Sequence, residues 1–187
     1  TKLIAENNVL AMNTPDFATL ALRPRAIIGA EDTVILPRVL EAYHKGKLKI
    51  VGKGNNICDF TCVRNVIEAI DCAIHAPSDA FGEAYNITDG TPIKFWDALR
   101  QVLQGLGLKP PTQHVPKQLA MWVGGFLEWK ARFFQEKKEP VLTRYSVGVL
   151  ANSLTMDISK ARQKLNYQPV MTTQDGINEY IQWKKAQ

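Results

Sequence analysis

Apolar residues recur along most of the chain at the spacing of an amphipathic helix, and short apolar runs lie between these segments. This spacing predicts helices over residues 2–12, 36–43, 63–75, 95–106, 119–134, 159–165 and 173–184, with a partly helical segment at 139–151. The short runs predict strands at 19–24, 48–51, 57–61, 84–87 and 154–156. Because strands and helices alternate, we expect an α/β fold with mostly parallel strand pairings.

The candidate ligand site lies in residues 19–29. Leu20 and Leu22 are typical of a buried strand, which Pro24 ends because proline cannot donate a ladder hydrogen bond. A second apolar run, residues 26–28, stops at Gly29. Open α/β sheets bind ligands beyond the carboxyl ends of their strands, so this loop is a candidate site. The alternative is an ordinary strand followed by a turn.

Composition indicates a globular protein of one domain or one and a half. The 187 residues are 45% hydrophobic and 22% charged, and the net charge is +5. The basic residues are scattered rather than interleaved with aromatic residues, which disfavours nucleic-acid binding and indicates a solvated basic face. The strands are few and short for this length, and residues 1–10 already have the pattern of a helix interior. We therefore expect a part of a larger sheet, from a longer protein.

Cysteine and histidine usage excludes several classes of site. The three cysteines, Cys58, Cys62 and Cys72, form no disulfide framework, which is typical of a reducing compartment, and we expect a cytoplasmic location. Cysteines and histidines have no metal-site spacing, so no metal is expected. The glycine pairs at 52–54, 105–107 and 124–125 do not follow a strand and open a helix. The phosphate-binding part of any dinucleotide site therefore lies outside this chain.

Several motifs occur together in a consistent order. They are Lys2 near the start, Leu22-Arg23-Pro24 through Ile28-Gly29, Asp59-Phe60-Thr61 with Val63, Asn65 and Val66, Tyr85-Asn86-Ile87, and Asp157-Ile158-Ser159-Lys160-Ala161 with Leu165, Tyr167 and Pro169. This ordered set resembles the C-terminal half of the extended short-chain dehydrogenases/reductases. The most similar branch contains the 3β-hydroxysteroid dehydrogenases/isomerases and sterol-4α-carboxylate dehydrogenases. Asn166 stands where this family usually has glycine, and Ala30 where it usually has proline.

The resemblance implies the C-terminal part of a Rossmann-type fold with its smaller substrate-binding domain, and with the N-terminal dinucleotide-binding half absent. Residues 1–30 are then the end of the Rossmann core. Residues 31–187 are mainly the substrate-binding part, with a returning core strand near 57–75.

The resemblance also implies the chemistry. Lys2 matches the lysine of the family's Tyr-x-x-x-Lys motif, so the catalytic tyrosine would lie four residues earlier. In the family this ammonium lowers the pKa of the tyrosine and binds the nicotinamide ribose. Lys2 is thus the expected catalytic and cofactor-binding residue, and Pro24 is expected to line the nicotinamide site. The expected cofactor is NAD or NADP. The expected substrate is a small apolar secondary alcohol or ketone, either sterol-like or of the 3-hydroxyacyl type. The resemblance also implies a homodimer that forms through the helix of Lys2.

Two alternative functions stay open. Nucleotide-sugar epimerases and dehydratases usually carry arginine where this chain has Cys58, so a diphosphate substrate is disfavoured. A non-catalytic binding module on the same scaffold would lack the tyrosine. Residues 119–134 either line a pocket for an apolar substrate or pack on the core, and they are too short and too charged to cross a bilayer. We expect the chain by itself to be inactive and to bind no dinucleotide.

Overall fold

The computed structural model describes residues 1–134, 140 and 142–187. Their helices are α1 Lys2–Ala11, α2 Ile35–His44, α3 Val63–Ile74, α4 Phe95–Gly105, α5 Lys117–Phe133, α6 Arg144–Ala151, α7 Ser159–Lys164 and α8 Thr173–Lys185, with a 3₁₀ turn at Ser78–Ala80. Their strands are β1 Ala21–Pro24, β2 Ile27–Ile28, β3 Ile50–Val51, β4 Ile57–Cys58, β5 Thr61–Cys62, β6 Ala84–Ile87, β7 Ile93–Lys94 and β8 His114–Val115.

The chain forms two compact units. Unit 1 contains Thr1–Glu31, Asp59–Pro92 and Thr155–Tyr180, and unit 2 contains Asp32–Cys58, Ile93–Leu154 and Ile181–Gln187. The predicted division at residue 30, with a returning core strand near 57–75, was a division by function, into a part that binds the cofactor and a part that binds the substrate. It stays a prediction, because compactness does not reveal what a unit binds.

Unit 1 is built on two parallel strand pairs. Strand β1 pairs with β6, so that Pro24 lies opposite Ile87, and β2 pairs with β5. Helix α7 packs on β6, and at its start the Ser159 N–H donates to Asp157 Oδ1 at 2.8 Å. The core of this unit is formed by alanine, aliphatic and aromatic residues, namely Ala69, Ala80, Tyr85, Ile87, Ile158, Ala161, Leu165 and Tyr167.

Unit 2 pairs β3 with β8 in parallel and β4 with β7 in antiparallel orientation. Helix α4 buries one continuous face, consisting of Trp96, Ala98, Leu99, Val102 and Leu103. The indole of Trp96 is satisfied there, since Nε1 donates to the Leu150 carbonyl at 3.1 Å. Helix α2 begins where the Asp32 carboxylate accepts hydrogen bonds from the N–H groups of residues 34–36.

Most elements predicted from periodicity are confirmed, and three of the four strand pairs are parallel. The predicted strand at 57–61 is two short strands, because Asp59 and Phe60 leave the ladder between β4 and β5. The predicted strand at 154–156 is wrong. Leu154 forms only an isolated bridge with Cys58, and the Met156 N–H donates to the Asp59 carboxylate instead of to a strand. Of the segment 139–151, helix α6 is described, whereas residues 139 and 141 lie outside the described residues.

The apolar stripe of α3 is not its buried side. Ile67 is 61% exposed, and Ile70 and Ile74 are exposed as well, whereas Asn65 and Ala69 are buried. The cause is the Asn65 amide, whose hydrogen bonds to the backbone of residues 170–171 hold the opposite side of the helix against that segment. Periodicity alone predicted the helix correctly and did not reveal which side it buries.

Candidate functional site

The candidate site is the loop that follows β1. Pro24 is the last residue of this strand and is exposed. The next residue, Arg25, continues the pairing with β6, since its N–H donates to the Ile87 carbonyl at 3.3 Å. The loop therefore leaves the sheet at the carboxyl ends of two parallel strands, where α/β folds place their ligands.

The Thr61 side chain holds this loop in place. Its fully buried hydroxyl accepts the Arg25 N–H at 3.0 Å and lies 2.7 Å from the Arg25 carbonyl and 2.9 Å from the Ile87 carbonyl. The hydroxyl has one proton, so it donates to one of these two carbonyls at a time. The Thr61 N–H donates in addition to the Ala26 carbonyl at 3.3 Å. One threonine thus positions both residues that follow Pro24.

Ala26 has an unusual backbone conformation. Its φ of 47° lies in the left-handed region, which costs a residue with a Cβ roughly 1–2 kcal/mol. Such outliers persist where the surrounding structure over-determines them, and they cluster at ligand sites. The contacts of Thr61 provide that restraint here. The strain lies two residues after Pro24, which supports this loop as a site.

Arg25 and Asp59, two motif residues to which the sequence analysis gave no role, lie at the same place. The Arg25 Nε atom is buried without a hydrogen-bond partner among the described residues. Asp59 is buried, and its Oδ2 accepts the Met156 N–H at 2.7 Å. Burial raises the pKa of the Asp59 carboxyl, and the Arg25 charge partly opposes this shift in pKa. Membership of the recognised motifs was the sequence signal that could have identified Arg25 and Asp59 as candidate site residues.

Lys2 is exposed in the first turn of α1. Two contacts tie this helix to β1. The Arg23 guanidinium donates to both carboxylate oxygens of Glu6, at 2.7 and 2.5 Å, and the Thr19 hydroxyl donates to the Val9 carbonyl at 3.0 Å. The structure therefore joins the elements that carry Lys2 and Pro24 and leaves both side chains exposed. The assignment of these two residues to catalysis and to cofactor binding stays a prediction.

A buried polar cluster, which includes Asn65 of the recognised motifs, lies around Asp89. The Asp89 carboxylate accepts four hydrogen bonds, from the Cys62 N–H (2.7 Å), the Cys62 thiol (3.2 Å), the Asn65 amide (2.7 Å) and the Thr173 hydroxyl (2.9 Å). Burial and the neighbouring carboxylate raise the pKa of the Cys62 thiol, which keeps it neutral and a donor. We conclude that this cluster is structural and that Cys62 is not a nucleophile.

The departure from the family pattern at Asn166 has a backbone explanation. Its φ is 55°, in the left-handed region, where asparagine is the most tolerated residue after glycine. The next residue, Tyr167, is fully buried, and its hydroxyl donates to the Thr88 carbonyl at 3.0 Å. Asn166 thus preserves the turn that aims Tyr167 into the core.

The described residues contain neither a cluster of metal ligands nor a membrane-crossing helix. No three histidine, cysteine, aspartate or glutamate side chains gather there as ligands of one metal ion would. In that same part of the chain, no helix combines the length and the apolar character needed to traverse a bilayer.

Solved structures confirm the type of fold. The chain superposes on UDP-glucuronic acid 4-epimerase from Bacillus cereus, solved in complex with NAD, with a TM-score of 0.60 over 91% of this chain and 46% of that one. The two sequences are 18% identical, so this likeness concerns the fold alone. The predicted α/β, Rossmann-like architecture is confirmed, whereas the absence of an N-terminal half stays a prediction.

Relatives among characterised proteins are dehydrogenases and reductases. The chain is 38% identical to a 3beta-hydroxysteroid-dehydrogenase/decarboxylase of Arabidopsis thaliana, over 87% of this chain and 39% of the relative. It is 32% identical to the mouse sterol-4-alpha-carboxylate 3-dehydrogenase, over 97% and 52%. It is 34% identical to a 2-alkyl-3-oxoalkanoate reductase of Shewanella oneidensis, over 94% and 48%. The chain thus spans about half or less of the length of these relatives.

The family model for the 3-beta hydroxysteroid dehydrogenase/isomerase family matches residues 1–117, well over half of the chain. The matched region contains Lys2, Pro24, Thr61 and Asp89. The predicted family is confirmed, and the chain belongs to the 3-beta hydroxysteroid dehydrogenase/isomerase family.

Proposed function

We propose that this chain is the C-terminal, substrate-side part of an NAD(P)-dependent oxidoreductase that acts on an apolar secondary alcohol or ketone. The observation that carries the proposal is the loop after Pro24, held by Thr61 in a strained conformation at the carboxyl ends of two parallel strands. The names of the chain's relatives, which are dehydrogenases and reductases, also support the proposal.

The residues present fit the nicotinamide end of a cofactor. Pro24 offers an exposed apolar surface at the end of β1, and the buried Arg25 Nε beside it is a donor still to be satisfied. A bound nicotinamide would supply the site that accepts or donates hydride. Lys2 would bind the ribose and lower the pKa of a tyrosine four residues earlier in the intact protein. We propose NAD or NADP as the cofactor.

The substrate class follows from the relatives' names and from Cys58. Both 3β-hydroxysteroids and 2-alkyl-3-oxoalkanoates carry a hydroxyl or oxo group at position 3 of an apolar skeleton. Cys58 is buried in β4, where it can offer no positive charge to a diphosphate. We therefore favour sterol-like or 3-hydroxyacyl substrates. The epimerase-like fold leaves a nucleotide sugar as the second candidate.

The test uses the intact gene product with a panel of sterols, 3-hydroxyacids and UDP-sugars, each with NAD⁺ and with NADP⁺. We expect turnover of an apolar alcohol, and we expect Lys2→Ala to lower kcat by about 10²–10⁴-fold, the usual contribution of a group in proton transfer. Lys45→Ala is the matched control, because this exposed lysine forms an ion pair with Glu41, one helical turn away in α2, and has no part in the candidate site. The control variant should keep the parent's kcat.

The outcomes separate the three functions. A tyrosine four residues before Lys2 together with alcohol oxidation supports the proposal. Conversion of a UDP-sugar would contradict the proposal and support the epimerase function. A residue other than tyrosine four positions before Lys2, together with no turnover of any substrate, would support the non-catalytic module. For the 187-residue chain alone, calorimetry should detect no dinucleotide binding, and micromolar binding would contradict this.

A further inference from the structure

Two helices, α5 and α3, expose large apolar side chains. In α5 Trp122 and Phe126 are exposed, so of the two alternatives that the sequence left open for residues 119–134, packing on the core is wrong for these side chains. In α3 four aliphatic residues are exposed, and Ile74 reaches 71%. We call these four the α3 seam, namely Val63, Ile67, Ile70 and Ile74. Contiguous exposed apolar surface of this kind marks an interaction site.

The α3 seam has the spacing of a helix that pairs with another helix. Its members follow one another at intervals of four, three and four residues, which are the a and d positions of a heptad. A stripe restricted to these positions is narrow, and in paired helices each of its residues packs between side chains of the facing helix. The sequence of α3 therefore presents a surface suited to one further helix.

The α3 seam points away from the rest of unit 1. The buried residues of α3 are Asn65 and Ala69, and the helix contacts β1 and β6. At 100° per residue, the seam lies on the opposite side of the helix from these two residues. Further strands beside β1 and β6 would lie under α3, as these two strands do, and would leave the seam open.

Charged residues of opposite sign border the α3 seam on one side. With Ile67 at position a and Ile70 at position d, both Arg64 and Asp71 occupy position e, and both are exposed. The g positions on the other side of the seam carry no charge, since they are Val66 and Ala73. Charged residues at e and g determine the partner and the orientation of paired helices.

This arrangement of charges is complementary to itself. When two copies of α3 pair in antiparallel orientation, their e positions face each other, so that Arg64 of each copy lies opposite Asp71 of the other. Two-fold symmetry forms this contact twice. A parallel pair would instead place both charged residues against the uncharged g side. The charges of α3 therefore fit a second α3 in antiparallel orientation.

The contacts that Arg64 and Asp71 already make leave room for this pairing. An Arg64 Nη atom donates to Glu179 Oε1 at 3.0 Å, and the guanidinium has further donors for a second carboxylate. Asp71 Oδ1 lies 3.6 Å from His75 Nδ1 on the same helix. Both contacts are at the surface, where ion pairs are weak and exchange readily with other partners.

We propose that α3 is a docking surface for a second copy of this chain, in a two-fold antiparallel pair of α3 helices with the α3 seam at its centre. This surface differs from the helix of Lys2, through which the resemblance implies a homodimer. An anionic partner fits less well, because α3 carries one basic residue against the two acidic residues Glu68 and Asp71.

The first test is sedimentation equilibrium of the intact protein over a range of concentrations. We expect reversible association, and Ile67→Ser with Ile70→Ser should raise the Kd at least about tenfold, since symmetry removes four buried side chains from the pair. The matched control is Leu3→Ser with Ile4→Ser in α1, where both side chains are 64% exposed. This control should keep the parent's Kd, and thermal unfolding should confirm that both variants keep the parent's fold.

The second test reverses the two charges separately. Arg64→Asp and Asp71→Arg each place like charges opposite one another in both symmetric contacts, so each variant alone should associate about three- to tenfold more weakly than the parent. An equal mixture of the two variants should recover the parent's association, because a mixed pair restores opposite charges at both contacts. Recovery on mixing requires contact between copies. It cannot arise within one chain, where these residues lie about 10 Å apart along the helix axis.

Three results would overturn the proposal. The first is a monomer at every concentration, and the second is a Kd that the two α3 serine substitutions leave unchanged. The third is a mixture of the two charge variants that associates no better than either variant alone. Association that the α1 substitutions abolish and the α3 substitutions do not would assign the contact to the helix of Lys2 instead.

Discussion

The cluster around Asp89 in unit 1 and the exposed apolar side of α5 in unit 2 depart from the usual distribution of side chains in opposite directions. We call this side of α5 the aromatic stripe; it consists of Leu119, Trp122, Val123, Phe126, Trp129 and Phe133. Asp89 is 3% exposed although it is an acid, and Trp122 is 80% exposed although it is aromatic. The carboxylate is buried because four donors satisfy it. The stripe is exposed because the other side of α5 must approach α6 closely. The cluster is explained by the hydrogen bonds that it satisfies, whereas the exposure of the stripe is explained by the close packing of α5 on α6.

The largest expected effect is that of Asp89→Ala. The substitution leaves the Cys62 N–H, the Asn65 amide and the Thr173 hydroxyl as buried donors without their acceptor, each at a cost of about 1–3 kcal/mol. We expect the free energy of unfolding to fall by about 3–5 kcal/mol in urea denaturation, after partial relaxation of the site.

The matched control for Asp89→Ala is Asp97→Ala, which removes an exposed carboxylate that binds Arg100 at 2.7 Å on the same helix. Its loss should stay below about 1 kcal/mol. A loss as small as this for Asp89→Ala would mean that the buried cluster does not hold unit 1 together.

A second, smaller effect is expected at Gly176, where α8 packs on β5. A Cβ there would lie 2.4 Å from the Cys62 sulfur and 3.4 Å from Ile28 Cδ1. Overpacking of this kind costs about 1–3 kcal/mol, which outweighs the gain in helix propensity, so Gly176→Ala should lower the free energy of unfolding by about 1–2 kcal/mol.

The matched comparison for Gly176→Ala is Gly148→Ala in α6 of unit 2. A Cβ at Gly148 would meet nothing nearer than the Asn152 amide nitrogen at 3.9 Å. Gly148→Ala should therefore stabilise the protein by up to about 1 kcal/mol. Both variants are measured by thermal and urea unfolding. Equal effects of the two substitutions would contradict the tight packing around Cys62.

The smallest effect concerns a partly exposed carboxylate, that of Glu83, which sharpens the contrast with Asp89. Glu83 binds the ammonium groups of Lys160 and Lys164, each at 2.5 Å, and these contacts lower the pKa of Glu83 from its ordinary 4.5 to about 2. Because the pKa is lower in the folded state, the stabilisation is complete above the unfolded pKa and is lost as the pH falls from about 4.5 towards 2.

We therefore expect Glu83→Gln to be slightly less stable than the parent at neutral pH and to approach it as the pH is lowered through this range. Urea unfolding at a series of pH values measures the difference. Added salt should reduce the difference at neutral pH, since exposed ion pairs are screened. A difference that stays constant with pH would show that the charge of Glu83 does not contribute.

The sequence predicted those parts of the fold that local patterns encode. The spacing of apolar residues identified α4 and α8, and Pro24 marked the end of β1. It did not reveal the contacts of Thr61 or Asn65, because these side chains bind backbone groups 36 and 106 residues away along the chain. For the candidate site, the motifs indicated Lys2 and Pro24, whereas the strained Ala26 and the buried Arg25 Nε emerged only from the three-dimensional arrangement.

The sequence by itself determined the family, the order of strands and helices and the position of the candidate loop, since motifs and periodicity are local properties of the chain. The tertiary structure alone decided which side of each helix is buried. In α4 the apolar side faces the core, whereas in α3 and α5 the large apolar residues face solvent. The physical reason is that burial depends on the segment that packs against a helix. That partner, whether the backbone at 170–171 or the start of α6, comes from a distant part of the chain.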